Sequence, residues 1–386
     1  MNPSRYRFHP PAVEVSPEMR WALLRAFGPA DAPFADVPEA RCLIRAASAL
    51  DLSARIGSRS DSDRLSAEMG SAAEEFVGAS RRCADEAVLN SLAAQDVAAA
   101  ARDLSIPLVF LKFQALVSGG YVAGNARGTS DVDVLVPRAD AERFRRALLD
   151  VGFRPSGCPG YEHQTSPVVH PFGVSVDIHR KLLGVRLEGR RSADARDLIE
   201  RGLCDPLPGA AGEPAVPARE VLIAHALVHG VAQNGLAPHA YPLTRMIADL
   251  IDLDLPGAGS GSPGWADWIS RDVSAAELAA VSDLCESLRS GETAKSAGRS
   301  EHFFLGHIVA AVVAPGYSRS LALRGLFHEP TDRWRPRKLS SSLFGALFPP
   351  LSALARAPVS GRSDGPWRAV WRRFARPWVL LGRALR

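Results

Sequence analysis

The sequence is poor in lysine. Of its 46 basic residues only Lys112, Lys181, Lys295 and Lys338 are lysines and the other 42 are arginines, so one arginine says little and one lysine says more. Cysteine is also sparse: Cys42, Cys83, Cys158, Cys204 and Cys285 are odd in number, scattered and never spaced as CxxC. That argues against a disulfide framework or a cysteine zinc site and points to a reducing compartment. Long hydrophobic runs are missing. The longest nearly apolar stretch, residues 303–315, contains His307 and is too short to span a bilayer, and residues 1–15 hold no signal-peptide core. The expectation is a cytoplasmic protein. No Ser-His-Asp nucleophile pattern, Walker loop or glycosidase-type carboxylate pair is identifiable.

The rest of the composition is that of an ordinary globular chain: 386 residues, 46% hydrophobic and 23% charged, long enough for two or three domains with a sizeable core. The net charge of +4 hides an asymmetry. Residues 333–386 hold 12 basic residues and one acid, a net of +11, which leaves −7 for the remainder.

Periodicity divides the chain into four parts. Residues 1–104 read mainly as helix, with three-and-four apolar spacing over 19–27 and 84–101 and a Ser, Arg and Asp rich loop or frayed helix over 55–66. Residues 105–202 alternate in type. Short β-branched runs at 106–111 and 132–136 predict strands, 139–151 predicts an amphipathic helix closed by Gly152, and 167–170 with 173–179 predict a hairpin across Pro171-Phe172-Gly173. After a Gly and Pro rich linker at 203–217, the remainder of 203–332 reads as a helical lobe. The tail, 333–386, is broken by prolines into short helices and turns.

The chemistry-bearing stretch is Gly128-Thr129-Ser130-Asp131-Val132-Asp133-Val134. Alternate residues of a strand point to one side, so Asp131 and Asp133 project together while Val132 and Val134 face the core. Two carboxylates on one face repel, and a hard divalent cation, Mg²⁺ or Mn²⁺, relieves that repulsion. Asp177, in Val176-Asp177-Ile178-His179, offers a third carboxylate on a later strand. Three such aspartates can hold two metal ions, the requirement of phosphoryl or nucleotidyl transfer. Gly128, Thr129 and Ser130 let backbone N–H groups and a hydroxyl approach phosphate oxygens. Lys112 and Arg127 either supply positive charge for a triphosphate or are a solvated strand end and one ordinary arginine of an arginine-rich chain. His179 serves either as a proton relay beside Asp177 or as a satisfied structural histidine. His225 and His229, one helical turn apart, have no intervening Glu and no obvious third ligand, so packing against the catalytic lobe is the expectation.

These residues resemble the polymerase-beta type of nucleotidyltransferase, and more closely a bacterial branch described as uncharacterised nucleotidyltransferases. The resemblance rests on Leu111-Lys112, Arg127, residues 130–136, 148–153 and 176–179, then His225, His229 and Asp249-Leu250. It implies an α/β (α+β) fold, a minimal nucleotidyltransferase palm with a mixed sheet flanked by helical regions. It also implies Asp131, Asp133 and Asp177 as catalytic metal ligands, with Lys112, Arg127 and Ser130 binding the NTP co-substrate. The chain departs from the family pattern at Phe113, where a glycine is expected, and Ser118-Gly119-Gly120 is the alternative phosphate turn. The turn is placed here at Lys112, because a phosphate turn should follow its strand directly.

The acceptor, whether a small molecule, a peptide or RNA, is not specified by the sequence. Two other functions share the resemblance: a catalytically weak nucleotide-binding scaffold, favoured by Phe113, and an RNA-modifying toxin, favoured by the basic tail. Within the tail Trp367, Val370, Trp371 and Phe374 share a helical face with arginines around them. That pattern fits docking on the acidic body, or contact with RNA or an anionic membrane that would make the protein peripheral there.

Overall fold

The computed structural model describes residues 13–29, 39–129, 131–157, 160, 162–187, 191–207, 214–233, 243–257, 263–292 and 303–314. The basic tail and Ser130 lie outside the described residues. No described helix is long and apolar enough to cross a membrane.

The chain begins with helices α1 (Pro17–Phe27), α2 (Ala40–Ala49), α3 (Ser53–Arg59), α4 (Ser62–Met69) and α5 (Ala73–Asp103). Ser16 starts α1 by accepting a hydrogen bond from the Met19 N–H, and Pro17 suits the first turn because it has no N–H to satisfy. The segment read as a loop or frayed helix over 55–66 is therefore mostly helix. It is short-turned, with Asp61 capping α4. Helices α3 and α5 cross closely at Gly57, where a Cβ would lie 2.1 Å from the Phe76 carbonyl oxygen. Trp21 packs against Phe76 nearby, ring centroids 5.7 Å apart.

Among the described residues seven strands form one mixed sheet: β1 (Val109–Phe110), β2 (Asp131–Leu135), β3 (Arg154–Pro155), β4 (Val168–Val169), β5 (Ser175–His179), β6 (Cys204–Pro206) and β7 (Ala215–Pro217). Their spatial order is β3-β4-β5-β2-β1-β7-β6. The pairs β2–β5 and β1–β7 are parallel and the others antiparallel. The chain is of the α/β class. Val132, Val134, Val176 and Ile178 are fully buried, so the central strands have one face committed to the core. Helix α6 (Lys112–Ser118) follows β1, and α7 (Ala141–Asp150) connects β2 to β3 with Ala141, Phe144 and Leu148 buried. The 171–173 turn closes the expected β4–β5 hairpin.

One expectation changes. The Gly and Pro rich segment read as a linker over 203–217 contains β6 and β7, which extend the sheet beyond β1. Its apolar content was too short for periodicity to reveal, and pairing with β1 supplies the hydrogen bonds that hold it as strand. Helix α8 (Ala195–Glu200) precedes it, and beyond it come α9 (Arg219–Leu227), α10 (Leu243–Asp252), α11 (Ala275–Ser290) and α12 (Phe303–Val313). Residues 228–233 continue α9 as a wider π turn. Arg55 of α3 bonds both carboxylate oxygens of Asp252 on α10, at 2.8 and 2.7 Å, and the Ala26 carbonyl at 2.9 Å. The first helices and the later lobe thus hold each other directly.

Candidate functional site

The register of two parallel strands builds the site. Asp133 on β2 stands opposite Asp177 on β5, and Leu135 opposite His179. Because alternation puts Asp177 and His179 on the same side of β5, both flank the Asp133 carboxylate. One ligand atom from each of Asp133, Asp177 and His179 lies within 4.8 Å of the other two. Among the described residues no other group of His, Cys, Asp and Glu meets that criterion. Asp133 is 3% exposed and Asp177 half-buried.

Two like charges this deep need compensation. The Asp133 Oδ1 atom accepts from the Lys112 ammonium at 2.5 Å and contacts His179 Nε2 at 2.8 Å. Burial would raise the Asp133 pKa, but Lys112 and His179 outweigh it and hold the group well below the usual carboxylate range. Its neighbours shift the other way. Burial and then the charge of Asp133 raise Asp177, and the same two causes raise Asp131, whose Oδ1 accepts from the Thr129 hydroxyl at 2.8 Å. Burial pulls the Lys112 pKa down, yet Asp133 and Asp131 raise it further, so the ammonium keeps its charge.

These donors fit a hard divalent cation. Oxygen ligands sit on one face, and burial together with the charge of Asp133 drives Asp131 and Asp177 toward protonation, a frustration that a cation would relieve. The Lys112 ammonium already supplies part of that charge.

Lys112 stands where β1 ends, in a left-handed backbone conformation with φ +48°, and α6 starts from it. Such a φ is costly for a residue with a Cβ. It aims the side chain back over β2 instead of along the helix. Gly119 and Gly120 sit at the far end of α6, away from the strand end. Phe113, the departure from the family pattern, is inside α6 and 4% exposed. Its ring supports the Arg127 guanidinium at 4.4 Å from the centroid, and Arg127 Nη2 lies 3.3 Å from Asp249 Oδ2 on α10. The structure therefore brings Asp131, Asp133, Asp177 and Lys112 together, while Arg127 turns to the helical lobe and reaches Asp131 only through its charge.

Two contributions were missed in the sequence. The sequence leaves His179 open between two roles, whereas the structure groups it with Asp133 and Asp177; its position two residues after Asp177 is the available signal. Helix α5 was read as part of a separate helical region, yet it holds the loop that leads into β2. The Asn90 amide donates to the Thr129 carbonyl at 2.8 Å and the Ser80 hydroxyl to the Asn125 carbonyl at 3.3 Å. A buried Asn, 3% exposed on an otherwise Ala-rich helix face, was the sign that could have flagged it.

A family model described as "Uncharacterised nucleotidyltransferase" matches residues 36–280, more than half of the chain. The match takes in α2 to α5 as well as the sheet, in keeping with the contacts between them. No curated protein and no solved structure matches significantly.

Proposed function

The chain belongs to the uncharacterised nucleotidyltransferase family, and we propose that it transfers a nucleoside monophosphate from an NTP to an acceptor hydroxyl or phosphate. An acceptor oxygen bonds to the α-phosphorus, the bond from that phosphorus to the bridging oxygen breaks, and pyrophosphate leaves. The observation that carries this reading is the Asp133–Asp177 register with His179 beside it. Asp131, Asp133 and Asp177 would hold Mg²⁺ or Mn²⁺. When bound, such ions neutralise the triphosphate and lower the pKa of the attacking hydroxyl.

The chain's own groups do the remaining work. His179 and Lys112 fix the Asp133 rotamer from two sides, so the carboxylate stays aimed out of the sheet. Lys112 also presents a charge that stays positive beside the place a triphosphate would take. Asp177 completes the ligand set on the acceptor side. Ser130 offers a hydroxyl to phosphate oxygens in this proposal, and the acceptor is a small molecule, a peptide or RNA.

The test is label transfer from each α-labelled NTP to candidate acceptors with Mg²⁺ or Mn²⁺. Asp133→Asn keeps the side-chain shape and should abolish transfer with the circular dichroism spectrum unchanged. Full activity in that variant would exclude the mechanism. A second reading, a nucleotide-binding scaffold without turnover, is favoured by the way Lys112 and His179 already satisfy Asp133 Oδ1. It predicts that NTP with Mn²⁺ raises the melting temperature while no acceptor is labelled.

A further inference from the structure

The sheet register carries one line of side chains out of the carboxylate cluster. Asp131 of β2 stands opposite Ser175 of β5, Ser175 opposite Val169 of β4, and Val169 opposite Arg154 of the edge strand β3. Directly opposed residues share a face, so the four side chains cross four strands on one side of the sheet. Neighbouring strands lie about 4.8 Å apart, which puts Arg154 roughly 14 Å from Asp131. The line is open to solvent: Asp131, Ser175 and Val169 are half-buried and Arg154 is exposed. On the other face the matching residues of β2, β5 and β4, which are Val132, Val176 and Val168, are all 0% exposed. One face of these strands is core, and the other is a lane that begins at a carboxylate of the candidate site.

The lane lies on the side from which an acceptor would come. Displacement at the α-phosphorus is in line, with the entering and leaving oxygens on opposite sides. Lys112, to which the triphosphate is assigned, follows β1 on one flank of β2, and β5 is on the other flank. An acceptor oxygen therefore enters over β5, past Ser175. Among the described residues the Ser175 hydroxyl and the Arg154 guanidinium have no hydrogen bond or ion pair with the protein, so both can serve a ligand. The turn between Val169 and Ser175 is held from behind by His170, which is 2% exposed. Its Nδ1 accepts from the Phe172 N–H at 3.2 Å and its Nε2 contacts Asp96 of α5 at 2.9 Å. Such a pre-built lane limits the ordering cost of binding.

We propose that this lane binds the acceptor, and that the acceptor is a hydroxyl compound bearing a phosphate on the order of 10 Å from the attacking oxygen, with Arg154 holding the phosphate and Ser175 hydrogen-bonding the acceptor beside that oxygen. A guanidinium suits the phosphate because its planar fork matches two oxygens at once. The assignment rests on the nucleotidyl-transfer reading above and adds the acceptor's chemistry, which a sugar phosphate and an RNA backbone share.

The experiment is calorimetry on the full chain with Mn²⁺ and saturating tripolyphosphate, which fills the triphosphate side and leaves the lane to the probe. Two pairs of probes are compared: glucose 6-phosphate with glucose, and a uridylate pentamer with uridine. In at least one pair the wild type should bind the phosphorylated member about tenfold or more tighter, the effect of one charge-assisted hydrogen bond. A preference in the first pair identifies a phosphorylated small molecule, and one in the second an RNA end. Arg154→Ala should abolish the preference and leave tripolyphosphate affinity unchanged; Arg154 is exposed on an edge strand, so the fold does not depend on it. Ser175→Ala should weaken the phosphorylated probe about fivefold, the effect of one lost hydrogen bond. The proposal is overturned if neither pair shows a preference, if the preference survives in Arg154→Ala, or if Ser175→Ala binds the probe as well as the wild type does. Each of these results leaves the transfer reading standing. Failure of the wild type to bind tripolyphosphate with Mn²⁺ would overturn the transfer reading together with this one.

Discussion

Replacing Asp177 with Asn should make the metal-free protein more stable while removing its response to metal. The reason is the opposition of Asp133 and Asp177, whose ligand atoms lie within 4.8 Å. At an effective dielectric of about 20, two unit charges at that separation repel by roughly 3.5 kcal/mol. His179 and Lys112 offset part of this, but burial and Asp133 still prevail and raise the Asp177 pKa. A net gain on the order of 1 kcal/mol is expected when the charge is removed and the shape is kept, or a rise of about 2 °C in melting temperature. The sign with pH follows. A carboxylate whose folded pKa is raised contributes stability that is present below its unfolded value of about 3.9 and is lost as pH rises through the folded value. In EDTA the wild type should therefore gain on the variant as pH falls from 7 toward 4. Metal acts oppositely: Mn²⁺ at 100 times its dissociation constant should add about 2.7 kcal/mol to the wild type and little to the variant. The assay is thermal or urea unfolding at pH 7 in EDTA and in Mn²⁺. A lower melting temperature for Asp177→Asn in EDTA would refute the electrostatic argument, and an undiminished Mn²⁺ shift would remove Asp177 from the ligand set.

Lys112→Met should destabilise the metal-free protein by about 2–4 kcal/mol, because it strands a buried carboxylate, and Mn²⁺ should recover much of the loss; unchanged urea midpoints in EDTA would contradict this. Asn90→Ala removes the support of the Thr129 carbonyl, with a cost of about 1 kcal/mol, and should lower kcat more than it weakens NTP binding. Equal effects on both would mean that α5 does not position the loop. Gly57→Ala puts a Cβ 2.1 Å from the Phe76 carbonyl oxygen and should cost about 1–3 kcal/mol by overpacking, visible as a reduced urea midpoint; a neutral result would mean that α3 and α5 can separate at no cost.

The sequence by itself determined the local pattern. Alternation placed Asp131 and Asp133 on one side of a strand, and the hairpin at 171–173 and the helix over 141–150 followed from turn chemistry and three-and-four spacing. Those signals are local because each depends on which way neighbouring side chains point. Which faces then meet is a matter of long-range packing. Lys112 reaches Asp133 across 21 residues of sequence and His179 across 46, and neither partnership leaves a periodic trace. Residues 203–217 carried Gly and Pro signals of a linker, yet an available edge beside β1 made β7 a strand. Arg127 carries positive charge in the sequence, and only folding brings the Phe113 ring and Asp249 to its guanidinium. Charge and hydrophobicity can be counted along a chain, but the dielectric around a charge and the group opposite it exist only once the strands are side by side.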